Sequence, residues 1–259
     1  MIKAAFFDLD GTLVGESGQY TPAVKEALSA LRAKGIRVFA ATGRSTYELE
    51  TTKMIEGLEF DAIVSLNGQY CYTQDRVIHM QLFDKAELQR ILAQCKKTPF
   101  PCAFVEKDAM YINFADDYVR TTMTYFHTPI FPIRDLEEAS QGDVLMVMAF
   151  LPPEQMEAYL RPVLQCSDFF RGSPFTADIL PLGGGKCAGI EKVLEEFSLT
   201  WDSVIAFGDG ENDRQMLEKA GCAVAMGNAI DALKQGDFYI TDSVERDGVV
   251  TALQHFGLL

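Results

Sequence analysis

Short apolar runs alternate with segments of helical period through the first and last thirds of the chain. Residues 3–7 form the first such run, closed by a turn signal at Gly11, and predict a buried strand. Thr21-Pro22 reads as an N-cap followed by proline at the first helical position. An amphipathic helix follows over 23–33 and ends at Lys34-Gly35. Residues 36–41 predict a second strand, and Thr42-Gly43-Arg44-Ser45 leads into a helix over 46–56. A third strand is expected at 62–65, with Asn67-Gly68, 70–72 and 77–79 as a β-hairpin extension. The same rhythm returns after Pro181: helix 186–196, strand 204–207, helix 211–219, strand 222–225, a helix near 229–234 and a last helix over 247–256. Strands alternating with helices predict a parallel sheet with right-handed crossovers.

The stretch between these parts differs in kind. Nine of the ten prolines and ten of the eighteen phenylalanines fall within 83–182. Its pattern gives strands at about 102–106, 110–113, 144–151 and 175–180, with helices at about 84–96 and 153–165. Neighbouring strands such as 103–106 and 110–113 predict antiparallel pairing. The expected fold is therefore α/β: a Rossmann-like, doubly wound parallel-sheet core of residues 1–82 and 183–259, interrupted by an inserted α+β unit of residues 83–182.

Composition narrows the function classes. The 259 residues are 48% hydrophobic and 23% charged, with a net charge of −14. That balance argues against a nucleic-acid partner, which would require a basic face. No apolar run approaches the roughly 20 residues of a membrane span, so no membrane partner is expected. The cysteines at 71, 95, 102, 166, 187 and 222 form no Cys-x-x-Cys, and the three histidines are far apart, so neither a zinc signature nor a disulfide framework is expected. No basic segment followed by an apolar core opens the chain, and a cytoplasmic protein is the expectation. Oligomeric state is not legible.

Asp8 and Asp10 stand two residues apart at the end of the first strand. In extended backbone they share a face, where two carboxylates repel by roughly 1 kcal/mol in water and several-fold more near a protein surface. A cation would relieve that repulsion; an Asp-x-Asp-Gly turn chosen for backbone preference reads equally well from this segment alone. Gly208-Asp209-Gly210-Glu211-Asn212-Asp213 follows the strand at 204–207 and opens a helix. All strand-to-helix loops of a parallel sheet lie along one edge, so Asp8, Asp10, Thr42, Asp209 and Asp213 are expected to converge. Four carboxylates in one crevice call for an oxygen-seeking cation, and Mg²⁺ fits. Gly183-Gly184-Gly185-Lys186 puts a lysine at a helix start, either as a phosphate seat or as a solvated residue of a flexible loop. It is not a Walker A loop, because Ile179 and Leu180 stand where a glycine is needed and Cys187 replaces Ser or Thr. Thr42 reads either as a donor in a second phosphate-binding turn or as an ordinary N-cap.

Taken in order, Asp8-Leu9-Asp10-Gly11-Thr12-Leu13, Thr42-Gly43-Arg44, Lys186 and Gly208-Asp209-Gly210-Glu211-Asn212-Asp213 resemble the haloacid dehalogenase superfamily of phosphotransferases. The resemblance is closest to its Cof-type phosphatases, which carry an α/β cap between the second and third motifs. It continues through 220–229 and Asp247-Gly248-Val249. Gly210 and Arg214 depart from the Ser and apolar residue common there, and the cap matches in length and class only. The resemblance implies Asp8 as the nucleophile forming an aspartyl phosphate, and Asp10 as acid to the leaving alcohol and then base to water. It implies Mg²⁺ held by Asp8, the backbone carbonyl of Asp10 and Asp209, with Asp213 acting through water. Thr42, Gly43, Arg44, Lys186 and Asn212 would bind the substrate, a small phosphate ester with sugar phosphates foremost, and the cap would select it. A phosphomutase or other phosphotransferase, and a catalytically silent sugar-phosphate-binding regulator, are the alternatives. A receiver-type signalling domain would be about half this length.

Overall fold

Two separate sheets carry the chain in the computed structural model, which describes residues 1–171 and 175–259. Among the described residues the strands in chain order are β1 (Ala4–Phe7), β2 (Arg37–Ala41), β3 (Ala62–Ser65), β4 (Tyr70–Tyr72), β5 (Val77–Met80), β6 (Cys102–Val105), β7 (Met110–Ile112), β8 (Met146–Phe150), β9 (Ser167–Phe170), β10 (Thr176–Pro181), β11 (Val204–Gly208), β12 (Cys222–Ala225) and β13 (Tyr239–Ile240). Eight of them form a sheet in the order β13-β12-β11-β1-β2-β3-β4-β5. It is parallel from β13 to β3, and β4 turns back antiparallel on β3. The other five form an antiparallel sheet ordered β7-β6-β8-β10-β9. The α/β core with an α+β insertion is thus the fold adopted.

β1 is Ala-Ala-Phe-Phe, buried at every position, as a central parallel strand covered on both faces must be. Phe6 stacks on Phe39 at 4.5 Å between ring centroids, and Phe7 stacks on Phe207 at 4.7 Å. The face carrying Ala4, Phe6, Phe39 and Ala206 packs against Ile190, Val193 and Leu194 of helix Lys186–Glu196 and Met216 and Leu217 of helix Arg214–Lys219. Helix Pro22–Ala33 packs against β2 and helix Gly248–His255. It buries Val24, Ala27, Leu28 and Leu31, a single stripe of helical period, and the Thr21 hydroxyl accepts from the Val24 N–H at 3.2 Å.

Contacts divide the chain into two units: residues 1–43, 53–79 and 185–259, and residues 44–52 and 80–184. The segment 44–52, which the sequence pattern leaves in the first unit, groups with the second. Its side chains explain why. The Arg44 guanidinium donates to Thr128 Oγ1 (2.8 Å) and the Phe126 carbonyl (3.2 Å) and lies 5.4 Å over the Phe126 ring. The Ser45 hydroxyl sits 3.1 Å from Met110 Sδ. Helix Thr46–Thr52 also stops short of the expected residue 56, because Lys53 turns into the left-handed region at φ 55°.

The second unit has its own core, built on Leu88, Ile91, Phe100, Phe104, Val147 and Ile179. Glu87 is fully buried there. Its carboxylate accepts from the Gln165 N–H (2.8 Å), the Cys166 N–H (3.1 Å) and the Ser167 hydroxyl, and pairs with Arg90. Burial pushes the carboxyl up, but these donors more than offset it and hold it below the usual range. Helices Asp117–Tyr125 and Leu136–Ala139 and strand β9 were not expected from the pattern. Helix Asp117–Tyr125 carries Val119, Thr121, Thr122 and Thr124, β-branched residues that weaken helical propensity. The Asp116 N-cap and the burial of Val119, Thr122 and Met123 form it nonetheless.

Candidate active site

Adjacent parallel strands deliver the acidic residues. β1 pairs with β11 in the register Phe7↔Phe207, and the Asp8 N–H continues the ladder to the Phe207 carbonyl at 3.0 Å. Asp8 and Asp209 therefore emerge side by side at the carboxyl ends of neighbouring strands. The loop after β11 is closed by Asp213, whose Oδ2 accepts from the Asp209 and Gly210 N–H groups, both at 3.0 Å. Lys186, at the start of its helix, reaches the same point. Its Nζ donates to Asp8 Oδ1 at 2.7 Å and Asp213 Oδ1 at 2.6 Å, with all three residues buried. Carboxylate oxygens of Asp8, Asp209 and Asp213 lie within 4.8 Å of one another. Asp10 follows in the next turn, partly exposed, and its carboxylate is not in that cluster.

Burial dominates the electrostatics. It pushes the Asp8 carboxyl well above its ordinary value against the pull of Lys186, and Asp213, Asp209 and Asp10 add to the rise in that order. Burial and Asp213 likewise carry Asp209 to about 7, although the Thr12 hydroxyl, donating to Asp209 Oδ1 at 3.1 Å, favours its ionised form. For Lys186 burial disfavours the ammonium, but Asp213 and Asp8 outweigh it and hold the group charged. A donor set of three clustered carboxylates, two of which, Asp8 and Asp209, resist ionisation, fits a hard divalent cation. The backbone is shaped around it: Gly11, at φ 79°, leaves room for Asp209, since a Cβ there would stand 2.3 Å from Asp209 Oδ2.

The remaining sequence-predicted residues are placed as follows. Thr42 is buried at the end of β2, its N–H donating to the Val64 carbonyl at 2.8 Å. Gly43 lies against Asn67, and the Asn212 Nδ2 donates to Asn67 Oδ1 at 3.0 Å. Arg44 is drawn by its side chain to Thr128 and Phe126 of the second unit. Three contributors escaped the sequence reading of roles. Thr12 grips Asp209. Asn228 ties the loop after β12 to the Asp10–Gly11 turn through the Gly11 carbonyl at 2.8 Å. Asn67 holds Asn212. Thr12 and Asn228 fall within the matched motif stretches, which is the signal that points to them.

Comparison with known proteins gives a consistent picture. The sequence pattern of the haloacid dehalogenase-like hydrolases matches residues 5–253. YkrA of Bacillus subtilis (strain 168), which carries a phosphatase name, is 31% identical over 99% of this chain and 98% of its own length. A solved HAD subclass IIB sugar phosphatase has a TM-score of 0.88 at 32% identity, covering 99% of this chain and 100% of that one. A phosphatase of the same superfamily from Bacteroides thetaiotaomicron has a TM-score of 0.89 at 28% identity, covering 100% and 96%.

Proposed function

The chain belongs to the haloacid dehalogenase-like hydrolases and is a phosphatase of their Cof type, and from that premise we propose that it hydrolyses small phosphate monoesters through an aspartyl phosphate on Asp8, with Mg²⁺ as cofactor. The observation that carries this reading is the Lys186 ammonium set between Asp8 and Asp213 at 2.7 and 2.6 Å, with Asp209 beside them. Phosphoryl transfer needs positioning and charge neutralisation above all. An Asp8 oxygen attacks phosphorus, which requires the ionised form; Lys186 favours that form against burial. The bond from phosphorus to the leaving oxygen breaks, and Asp10 gives its proton to the departing alcohol. Asp10, now a carboxylate, takes a proton from water as that water attacks the acyl phosphate, releasing inorganic phosphate and restoring Asp8. Lys186, Thr42, Gly43 and Asn212 hold the phosphoryl oxygens. Arg44 acts through its backbone, because its guanidinium is engaged by Thr128 and Phe126.

Mg²⁺ held by Asp8, Asp209 and the Asp10 carbonyl would supply a Lewis acid that neutralises phosphoryl charge. Asp213 acts through water, since its Oδ1 is engaged by Lys186 and its Oδ2 by two backbone N–H groups. Sugar phosphates lead as substrates because a sugar phosphatase is 32% identical over 99% of the chain. The inserted residues 83–182, with which the segment 44–52 groups, serve as the substrate-selecting cap, and the remainder of the chain serves as the catalytic core. Six free cysteines suit the reducing cytoplasm, and among the described residues no helix is long and apolar enough to cross a membrane.

Inorganic phosphate release from a broad ester panel tests the reading. Turnover with Mg²⁺ is expected to fall at least about a hundredfold in excess EDTA and in Asp209→Ala, as removal of a principal electrostatic group does. Undiminished turnover in EDTA would remove the metal from the reaction.

Stability offers a second check. In metal-free protein Asp209, carried to about 7 from 3.8, keeps its proton where the unfolded chain has lost it. A carboxyl raised on folding stabilises below its unfolded value and loses that contribution as pH rises through its folded value. Metal-free protein should therefore lose stability between about pH 4 and 7. Mg²⁺, which binds the ionised group, should raise the melting temperature more at pH 8 than at pH 5. Thermal melts with and without Mg²⁺ measure this, and a gain independent of pH would contradict it.

A further inference from the structure

Leu66, Asn67 and Gly68 follow β3 with three consecutive left-handed φ values, 51°, 49° and 94°. Asparagine tolerates this conformation and glycine prefers it, whereas leucine avoids it. Such a run persists only where its surroundings demand it, and strained backbone concentrates at functional sites. All three residues are buried.

The surroundings are three segments of the proposed phosphoryl-binding site. The Asn67 N–H donates to the Thr42 carbonyl at 2.9 Å, extending the β2–β3 ladder into the Thr42 turn. Its side chain lies against Gly43: a Cβ on that glycine would come within 3.1 Å of Asn67 Nδ2. Its Oδ1 accepts from Asn212 Nδ2 at 3.0 Å, which fixes which way the Asn212 carboxamide faces. Gly68 meets the start of the Lys186 helix, since a Cβ there would stand 2.3 Å from the Gly185 carbonyl oxygen. A single turn thus sets Thr42, Gly43, Asn212 and the helix that presents Lys186.

We propose that Asn67 is a positioning residue for phosphoryl binding, holding the Thr42–Gly43 turn and the Asn212 carboxamide in one fixed arrangement, an inference that rests on the phosphatase reading. Two substitutions separate this from a merely structural role. Asn67→Gly keeps the left-handed backbone and removes the carboxamide. Asn67→Asp keeps the conformation and an acceptor for Asn212, and it puts a negative charge beside Gly43.

The measurements are the inhibition constant of inorganic phosphate, KM and kcat for p-nitrophenyl phosphate, and the melting temperature. Asn67→Gly is expected to weaken phosphate inhibition and raise KM about tenfold, a modest share of what misplacement can cost, with melting within a few degrees of wild type. The double variant Asn67→Gly with Asn212→Ala should be no worse than the weaker single variant, because the two act as one unit. Asn67→Asp should weaken phosphate inhibition at least about fivefold by repulsion of the anion, and it decides the matter should Asn67→Gly not fold. Unchanged phosphate inhibition in the folded variants, or full additivity with Asn212→Ala, overturns the positioning role. Wild-type protein that neither cleaves any ester nor binds inorganic phosphate overturns the phosphatase reading instead.

Discussion

Asp8→Asn is expected to lower phosphate release by about 10⁴-fold or more, while making the metal-free protein more stable. The carboxamide matches the carboxylate in shape and cannot attack phosphorus, and the residual rate comes from substrate binding alone. Stability moves the other way for a reason visible in the site. Burial and the neighbouring Asp213, Asp209 and Asp10 all disfavour a charged Asp8, and only Lys186 favours it. The neutral amide removes that repulsion and leaves Lys186 paired with Asp213 at 2.6 Å. The melting-temperature gain from Mg²⁺ should shrink in the same variant. Steady-state phosphate release and thermal melts check both halves, and an active Asp8→Asn protein would remove Asp8 from the reaction.

Lys186→Ala should lose both stability and activity. It strips a buried ammonium from two buried carboxylates, and removing one partner of a buried ion pair typically costs about 3–5 kcal/mol. For a chain of this size that is a fall on the order of 10 °C in melting temperature. Protonation of Asp8 is the way the variant escapes part of the penalty, which also disables the proposed nucleophile. Activity should drop about 10²–10³-fold, as for loss of a preorganised charge at a developing anion. The drop should be the same for every ester, because all share the phosphate. Altered preference among esters without a general loss would contradict the role given to Lys186.

Much of the core was legible because its strands announce themselves. Residues 4–7 and 204–207 are uninterrupted apolar runs, as strands covered on both faces must be, and each ends at an aspartate or glycine that begins a loop. Parallel pairing then places their following residues together, so the approach of Asp8 to Asp209 follows from topology alone. Three features were hidden. Arg44 stands two residues after Thr42 in sequence, but its partners Thr128 and Phe126 lie more than eighty residues away, and no local pattern encodes that attachment. Helix Asp117–Tyr125 is specified by its cap and its burial against its own propensity. Asn67-Gly68 carries the usual signature of a tight turn, and it does connect β3 to β4. Its contacts with Thr42, Gly43 and Asn212 depend on three strand ends meeting in space.

The most direct test of phosphoryl transfer through Asp8 uses the Asp10→Asn protein, in which the step that hydrolyses the intermediate should be slowed most. Acid-quenching that protein during turnover of a reactive phosphate ester with Mg²⁺, followed by peptide mass mapping, should show one added phosphoryl group on the peptide containing Asp8, removable by hydroxylamine as an acyl phosphate is. Wild-type turnover accompanied by no phosphorylated peptide in the quenched variant, or by a phosphoryl group on any other residue, would contradict it.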